Sequence, residues 1–305
     1  MGRYIAIAIL RGLLSLLFAS LVVFVLVRAT GDPVRILMGT NASPQDVARV
    51  RAHLGLDRPL AEQYLRFVGN ALRGDFGRSI PFRRPAIDLV VERLPATVQL
   101  IGLSFVLSLA IALPLGVYCA VYRGSALDYA GRTFAALGQA IPPFWFGLVL
   151  ILVCAVHLRL VPTCGRGTLA NLVLPTVTLG WYFAVALMRL TRSSMLDVLG
   201  TEYVKLAHMK GLYERQVIWK HAFRNAALPV VTFAGLLLVA MINAAVTVEV
   251  VFAWPGVGSL IVESVVSRDF PTVQAGVMLI TALYALSGLV VDVMYGYLDP
   301  RIRVS

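Results

Sequence analysis

The chain is 305 residues long, 59% hydrophobic and only 14% charged, whereas about a quarter of an ordinary soluble domain is charged. So few charges, with apolar residues gathered in long blocks, exclude a soluble globular domain and place the chain in the membrane class. The formal charge of +11 does not point to nucleic acid, because the basic residues stand in loops between apolar blocks, as orientation signals do.

The first apolar block, residues 5–27, follows a basic start. It runs well beyond the roughly 7–15 residues of a signal-peptide core, and no A-x-A-like site follows it. It reads as a retained first span, closing a segment 1–30. Residues 31–94 form an extracytoplasmic segment with helix signals of its own. In SPQDVARVRAHLGL, Ser43 is a candidate N-cap, Pro44 suits the first helical position, Asp46 favours the first turn and Gly55 can close the helix. A second amphipathic run, PLAEQYLRFVGNALRG, ends at Gly74. Two short helices lying over the outer mouth are expected.

Residues 95–298 hold five more blocks of the roughly 20-residue length that a bilayer core demands, at 98–121, 133–156, 172–190, 230–252 and 273–297. Pro114 falls in the second span, Pro142 and Pro143 in the third, and Pro175 near the start of the fourth. Each proline frees a carbonyl that a neighbour must satisfy, so each marks a packed kink or a hinge that lines a cavity. Gln139 and Asn243 are the clearest polar side chains inside spans. They are candidates for a translocation path, with an interhelical hydrogen bond as the alternative. Cys119, Cys154 and Cys164 form neither a CxxC pair nor a disulfide framework and read as packing residues.

Lys and Arg in the short loops set the orientation. Lys205, Lys210 and Lys220 lie between spans four and five with Arg189, Arg192, Arg215 and Arg224. Arg123 and Arg132 flank the loop between spans two and three, and Arg301 and Arg303 stand in the tail 299–305. These segments alternate correctly to share the cytoplasmic side with both termini. The awkward segment is 31–94, with ten arginines on the opposite side. It is long and contains acids, so the short-loop rule applies to it weakly.

Between spans four and five runs EYVKLAHMKGLYERQVIWKHAFRNAALPVV, residues 202–231. Tyr203, Val204 and Ala207 fall at helical spacing, Gly211 breaks the run, and Val217, Ile218, His221 and Ala222 make a second stripe. Pro229 stands where the fifth span is expected to begin. The pattern is a helix, a glycine turn, a second helix and re-entry into the bilayer. Such a hairpin can lie on lipid headgroups or insert into a groove on a partner protein, and pattern alone leaves these two even. A DNA-reading helix-turn-helix is disfavoured because both ends are tethered to spans.

No phosphate-binding loop, H-E-x-x-H, G-x-S-x-G or close His/Cys cluster occurs. His53, His157, His208 and His221 are scattered over loops and span ends. An intramembrane enzyme or an ion-coupled transporter needs ionisable groups at depth. Here Glu249 and Asp292 lie near span ends and the centres are almost free of charge. No catalytic residue, metal ligand or cofactor is assigned.

The hairpin resembles the cytoplasmic EAA loop of ABC-transporter permeases of the type I importer fold. In its long form it is similar to the B-type permease subunit of dipeptide, oligopeptide, nickel and glutathione importers. The motif stands here as Glu202-Tyr203-Val204, Ala207, Lys210-Gly211-Leu212, His221, Arg224-Asn225-Ala226 and Pro229-Val230-Val231-Thr232. Where the general permease motif has Glu-Ala-Ala, this chain has Lys205-Leu206-Ala207, a departure usual for the branch. TGDP at 30–33, GLDRPL at 55–60, GDFGRS at 74–79, LPATVQL at 94–100, AWPGVGSL at 253–260, SRDFPTVQA at 267–275 and LDPRIR at 298–303 extend the resemblance over nearly the whole chain. Gly288 departs from it, standing where the family commonly has Asn.

The resemblance implies an all-α integral membrane protein of six transmembrane helices, with a folded outer segment after the first and a coupling hairpin, 201–229, between the fourth and fifth. It implies a cytoplasmic-membrane permease of a prokaryotic ATP-driven importer, not itself an enzyme. A homologous C-type permease subunit, two ABC ATPase subunits and an extracytoplasmic solute-binding protein are the implied partners, in contact with membrane lipid and no nucleic acid. Glu202, Tyr203, Val204, Ala207, Lys210, Gly211, Leu212, His221, Arg224 and Asn225 would couple the permease to the ATPases. A short peptide is the expected substrate, with glutathione, chelated nickel or sugar as alternatives. The competing readings are an ion-gradient-driven secondary transporter and a membrane scaffold or sensor.

Overall fold

A computed structural model of the chain describes residues 2–30, 45, 49 and 57–298. Every regular element among the described residues is helical: α1 (Gly2–Thr30), α2 (Leu60–Ala71), α3 (Ala86–Val121), α4 (Ala126–Ala140), α5 (Pro143–Leu150), α6 (Leu169–Leu199), α7 (Glu202–Met209), α8 (Glu214–Val251), α9 (Val257–Val266) and α10 (Phe270–Leu298). Five of them, α1, α3, α6, α8 and α10, are long and apolar enough to cross a membrane. The bent pair formed by α4 and 143–157 makes a sixth if counted as one span. The chain folds as two compact units. Among the described residues, one holds 97–254 and 290–298, and the other holds 2–30, 57–96 and 255–289.

In the first unit α6 is the central helix, packed against α4, α5 and α8. Its contact face is buried through Ala184, Val185, Leu187 and Met188, which meet Ala112 and Cys119 of α3, Ala135 of α4 and Val230 of α8. Small residues set the spacing, as in membrane helix pairs generally. A methyl group at Gly116 would stand 2.6 Å from Thr191 Cβ, and one at Gly138 would stand 2.6 Å from Val185 Cγ2. Cys119 is buried in this core and Cys164 is exposed.

The third span is not the single helix expected over 133–156. It is two helices meeting at 104°. The cause lies in the tandem prolines. A residue before proline is pushed out of the α region, and Ile141 and Pro142 both precede one. Both are extended, with ψ of 120° and 139°. Pro143, with φ preset and no N–H to lose, then starts α5. After α5 the chain continues as a π-helical stretch, Ile151–His157.

The fifth span also begins elsewhere than expected. Hydropathy marks its start at 230, but the helix begins at Glu214 and runs through Pro229 as one element of 38 residues. The polar residues Arg215, Lys220, His221 and Arg224 lower the hydropathy without ending the helix. The second arm of the hairpin is therefore the near end of the span itself. Similarly, α3 starts at Ala86, twelve residues ahead of the expected 98, and carries Pro95 and Pro114 within it.

In the second unit, α2 packs against α1. Arg28 Nη2 donates to Gln63 Oε1 at 2.8 Å, and the Ser20 and Tyr64 hydroxyls share a hydrogen bond of 2.8 Å. The Phe24 ring meets Tyr64 edge-on at 5.3 Å. This α2 is the second of the two short outer helices expected. The first, with Ser43, Pro44, Asp46 and Gly55, lies outside the described residues, as do most of TGDP and the tail 299–305. A separate core joins Ala86, Leu89 and Val90 of α3 to Val257 and Leu260 of α9 and Ala275 of α10. Helix α9 was not expected. It falls inside a stretch that reads as a loop.

Candidate functional site

The hairpin is built from its base outward. Thr201, extended at φ −79° and ψ 154°, turns the chain out of α6 into α7, and its hydroxyl donates to the Val198 carbonyl at 2.6 Å. Glu202 in the first turn suits the positive end of the helix. Val204 and Ala207, one turn apart on one face, are buried with Val217, Ala222 and Ala226 of α8. They pack on Val117 and Ala120 at the end of α3 and on Met195 near the end of α6. Full burial of a valine side chain contributes roughly 1.5–3 kcal/mol, so Val204 and Val217 alone fasten the base firmly. Trp219 closes one side, its ring 5.3 Å from Phe223 and 6.4 Å from Tyr118.

The turn is set by backbone conformation. The Lys210 N–H donates to Leu206 O at 3.1 Å and the Gly211 N–H to His208 O at 2.9 Å. Gly211 then takes φ +74°, and nothing lies within 4 Å of where a Cβ would stand. The glycine is required here for its left-handed backbone, which side chains resist, and not for a close approach within the chain. Leu212, half-buried, folds back on the apolar base. Val217–Ala222 is a π-helical stretch, a form that is uncommon and frequent at functional positions.

Across the hairpin, Asn225 Nδ2 donates to the Tyr203 hydroxyl at 2.9 Å and to His221 O at 3.2 Å, tying α7 to α8. Lys205 pairs with Glu202 at 2.8 Å, both largely exposed. What the base leaves outside is an apolar crest: Leu206 48% exposed, Met209 76% and Tyr213 80%. Lys205, Lys210, Arg215, Lys220 and Arg224 stand exposed around it, with Glu202 and Glu214.

Of the ten residues the sequence singles out, Val204 and Ala207 are in the base, Leu212 and His221 are half-buried, and Tyr203 joins Asn225. Glu202, Lys210, Gly211 and Arg224 are exposed. Met209 and Tyr213, the most exposed apolar groups of the hairpin, escaped notice because the motif does not include them. Gln139 lies near the end of α4 and Asn243 within α8. Both are exposed, and neither side chain makes a hydrogen bond among the described residues, so the interhelical bond considered for them is not formed within this chain.

Two buried polar links in the same unit also escaped notice. Asp128 accepts from Arg192 Nε at 2.7 Å and Nη2 at 2.9 Å, and from the Gly124 N–H at 3.1 Å. This bidentate pair fastens the start of α4 to α6. Glu249, fully buried, accepts from the Thr97 hydroxyl at 2.6 Å. Each link joins residues too far apart in sequence for any local pattern to reveal.

Comparison with known proteins agrees with this architecture. The family described as "Binding-protein-dependent transport system inner membrane component" matches residues 112–304, and its N-terminal counterpart matches 1–101. The glutathione transport system permease protein GsiC of Escherichia coli (strain K12) is 40% identical over 296 residues, covering 96% of this chain and 97% of that protein. The dipeptide transport system permease protein DppB of the same strain is 37% identical over 305 residues, covering 90% of each. Among solved structures, the inward-facing MetNI methionine ABC transporter matches with a TM-score of 0.54 at 19% identity, over 69% of this chain and 96% of that one. An amino acid ABC transporter crystallised with histidines matches with a TM-score of 0.51 at 14% identity, over 70% and 94%. These two show the fold. The chain belongs to the family of inner membrane components of binding-protein-dependent transport systems, as a permease of the ATP-driven importer type.

Proposed function

We propose that the chain is one half of a heterodimeric permease that passes short peptides, glutathione among them, into the cytoplasm. A homologous C-type permease subunit is the other half, two ABC ATPases bind the cytoplasmic face, and an external solute-binding protein delivers the substrate. Both termini and the hairpin 201–229 face the cytoplasm, and 31–94 faces outward. The glutathione and dipeptide transport systems of the 40% and 37% identical relatives support a peptide-class substrate.

One observation carries the coupling role. The hairpin presents Leu206, Met209 and Tyr213 outward on a base that is itself buried. An exposed apolar crest on a rigid helix pair is the shape that fills a groove on a partner. Because α8 is continuous from Glu214 to Val251, a force at Tyr213, the residue before it, enters the fifth span directly, and one at Leu206 or Met209 on α7 reaches α8 through the buried base. ATP-driven closure of the partners would then switch the spans between discrete packings. The surface around Asn243 and the bend at Ile141–Pro142 support a path shared with the second permease. A polar side chain on an apolar face, like irregular backbone at depth, is tolerated where protein or water covers it.

The test is assembly and uptake. Co-expressed with its ATPases, the wild-type chain is expected to co-purify with them and to drive ATP-dependent uptake of dipeptide or glutathione in proteoliposomes. Met209→Asp with Tyr213→Asp should abolish ATPase co-purification while the chain still inserts. Full co-purification by that variant would refute the docking role of the crest.

A further inference from the structure

The second unit holds two loops that the sequence marks and the coupling role leaves unused: residues 74–85, beginning GDFGRS, and residues 267–272, SRDFPT. One buried carboxylate joins them. Asp269 is fully buried. It accepts from the Ser79 hydroxyl at 2.5 Å, from the Ile80 N–H at 3.1 Å and from the Thr272 hydroxyl at 2.6 Å. Charge-assisted bonds of this kind are roughly twice as strong as neutral ones. The loop is closed on itself as well. The Ser79 N–H donates to Arg84 O at 2.9 Å, the Arg83 N–H to Ser79 O at 3.0 Å, and the Ala86 N–H to Gly77 O at 2.9 Å.

The rigid frame displays arginines in an unusual state. Arg83 has φ +55° and Arg268, next to Asp269, has φ +57°. A left-handed backbone is uncommon for a residue with a side chain, and it persists where surrounding contacts over-determine it. Arg78, Arg83, Arg84 and Arg268 are all exposed, with Phe82 44% exposed among them. Arg84 meets Glu92 at 3.2 Å in a largely exposed pair, which contributes little. Arg78, Arg83 and Arg268 make no ion pair among the described residues. The backbone that carries these arginines is held by the hydrogen bonds around Asp269.

We infer that the loop 78–84 and Arg268, organised around Asp269, form a cationic docking surface for an acidic face of the solute-binding protein. The inference rests on the importer reading and the outward placement of this segment proposed above. Exposed, unpaired guanidinium groups on a rigid frame supply electrostatic complementarity, and binding requires no further ordering of their backbone. Phe82 supplies an aromatic contact among the charges, the composition that interface centres favour.

The experiment uses the whole complex in phosphatidylcholine nanodiscs, together with the solute-binding protein that stimulates its ATP hydrolysis. The probe is that protein's affinity, measured across a salt series, with ATPase co-purification recorded as a check on folding. Arg83→Glu with Arg268→Glu is expected to weaken binding by at least about tenfold at low salt and to flatten its salt dependence. Arg83→Lys with Arg268→Lys keeps the charge and is expected to bind within about threefold of wild type, a small fraction of the binding energy. Unchanged affinity in the Glu variant overturns the inference, as does a Lys variant as weak as the Glu variant. So does an effect of the Glu variant that appears only when phosphatidylglycerol is added, since the surface would then read lipid. A wild-type complex that no solute-binding protein stimulates would instead remove the importer reading, and this surface with it.

Discussion

The hairpin 201–229 and the arginine loop 74–85, proposed above to face the cytoplasm and the outside, are both exposed segments made rigid, and they are made so by opposite means. The hairpin rests on an apolar base of eight buried residues, with Asn225 to Tyr203 the cross-link between its arms. The outer loop rests on one carboxylate that takes three hydrogen bonds. Apolar packing is non-directional and its loss is graded by volume. A buried polar hub is directional, and removing it leaves every partner unsatisfied at once. The first arrangement suits an element that must transmit force and tolerate small shifts in packing. The second suits an element that must hold charges in one fixed place.

The comparison breaks most sharply at Asp269. Asp269→Ala strands the Ser79 and Thr272 hydroxyls and the Ile80 N–H, and should destabilise the second unit by on the order of 3 kcal/mol. Thermal unfolding of the purified complex, read alongside protease sensitivity of the 74–85 loop, checks this. A loop that stays protected would mean that the carboxylate is not its anchor. A milder effect is expected in the hairpin. Val204→Ala removes two carbons from a well-packed base and should cost roughly 1–2 kcal/mol, with partial loss of ATPase co-purification. If it behaved like Asp269→Ala, the contrast between graded and all-or-none anchoring would fail. The smallest effect belongs to the surface. Lys205→Gln breaks an exposed pair with Glu202 and should change stability by less than about 0.5 kcal/mol.

The same contrast explains what could be read from the sequence. The apolar base was legible because Val204 and Ala207, like Val217 and Ala222, repeat at helical spacing within a few residues. The long spans were legible for the same reason, through hydropathy. Their ends were not, since α3 and α8 run on past their apolar cores as polar helix. The tandem prolines at 142–143 were visible, but a 104° break and a packed kink share one sequence signature. The hub at Asp269 was invisible because Ser79 and Asp269 lie 190 positions apart. Arg192 and Asp128, and Thr97 and Glu249, were hidden in the same way. Local periodicity reports what a helix buries, and it says nothing about which distant polar group completes a hydrogen bond. The exposed crest escaped for another reason: Met209 and Tyr213 follow no period, and only their exposure once folded sets them apart.

The central claim is that the hairpin acts as a lever on partner ATPases. The most direct measurement is substrate-stimulated ATP hydrolysis by the reconstituted complex carrying Gly211→Val. The glycine has φ +74° and no atom within 4 Å of where a Cβ would stand, so the cost of valine falls on the backbone of the turn, by roughly 1–2 kcal/mol. The spans keep their apolar lengths and should insert normally. Stimulation is expected to fall severalfold or more with membrane insertion unchanged, and Lys205→Gln with Lys210→Gln to have the smaller effect. The opposite order would mean that the hairpin is held by anionic headgroups, which attract about 1 kcal/mol per basic residue near the surface. Normal stimulation with normal ATPase co-purification in Gly211→Val would contradict the lever outright.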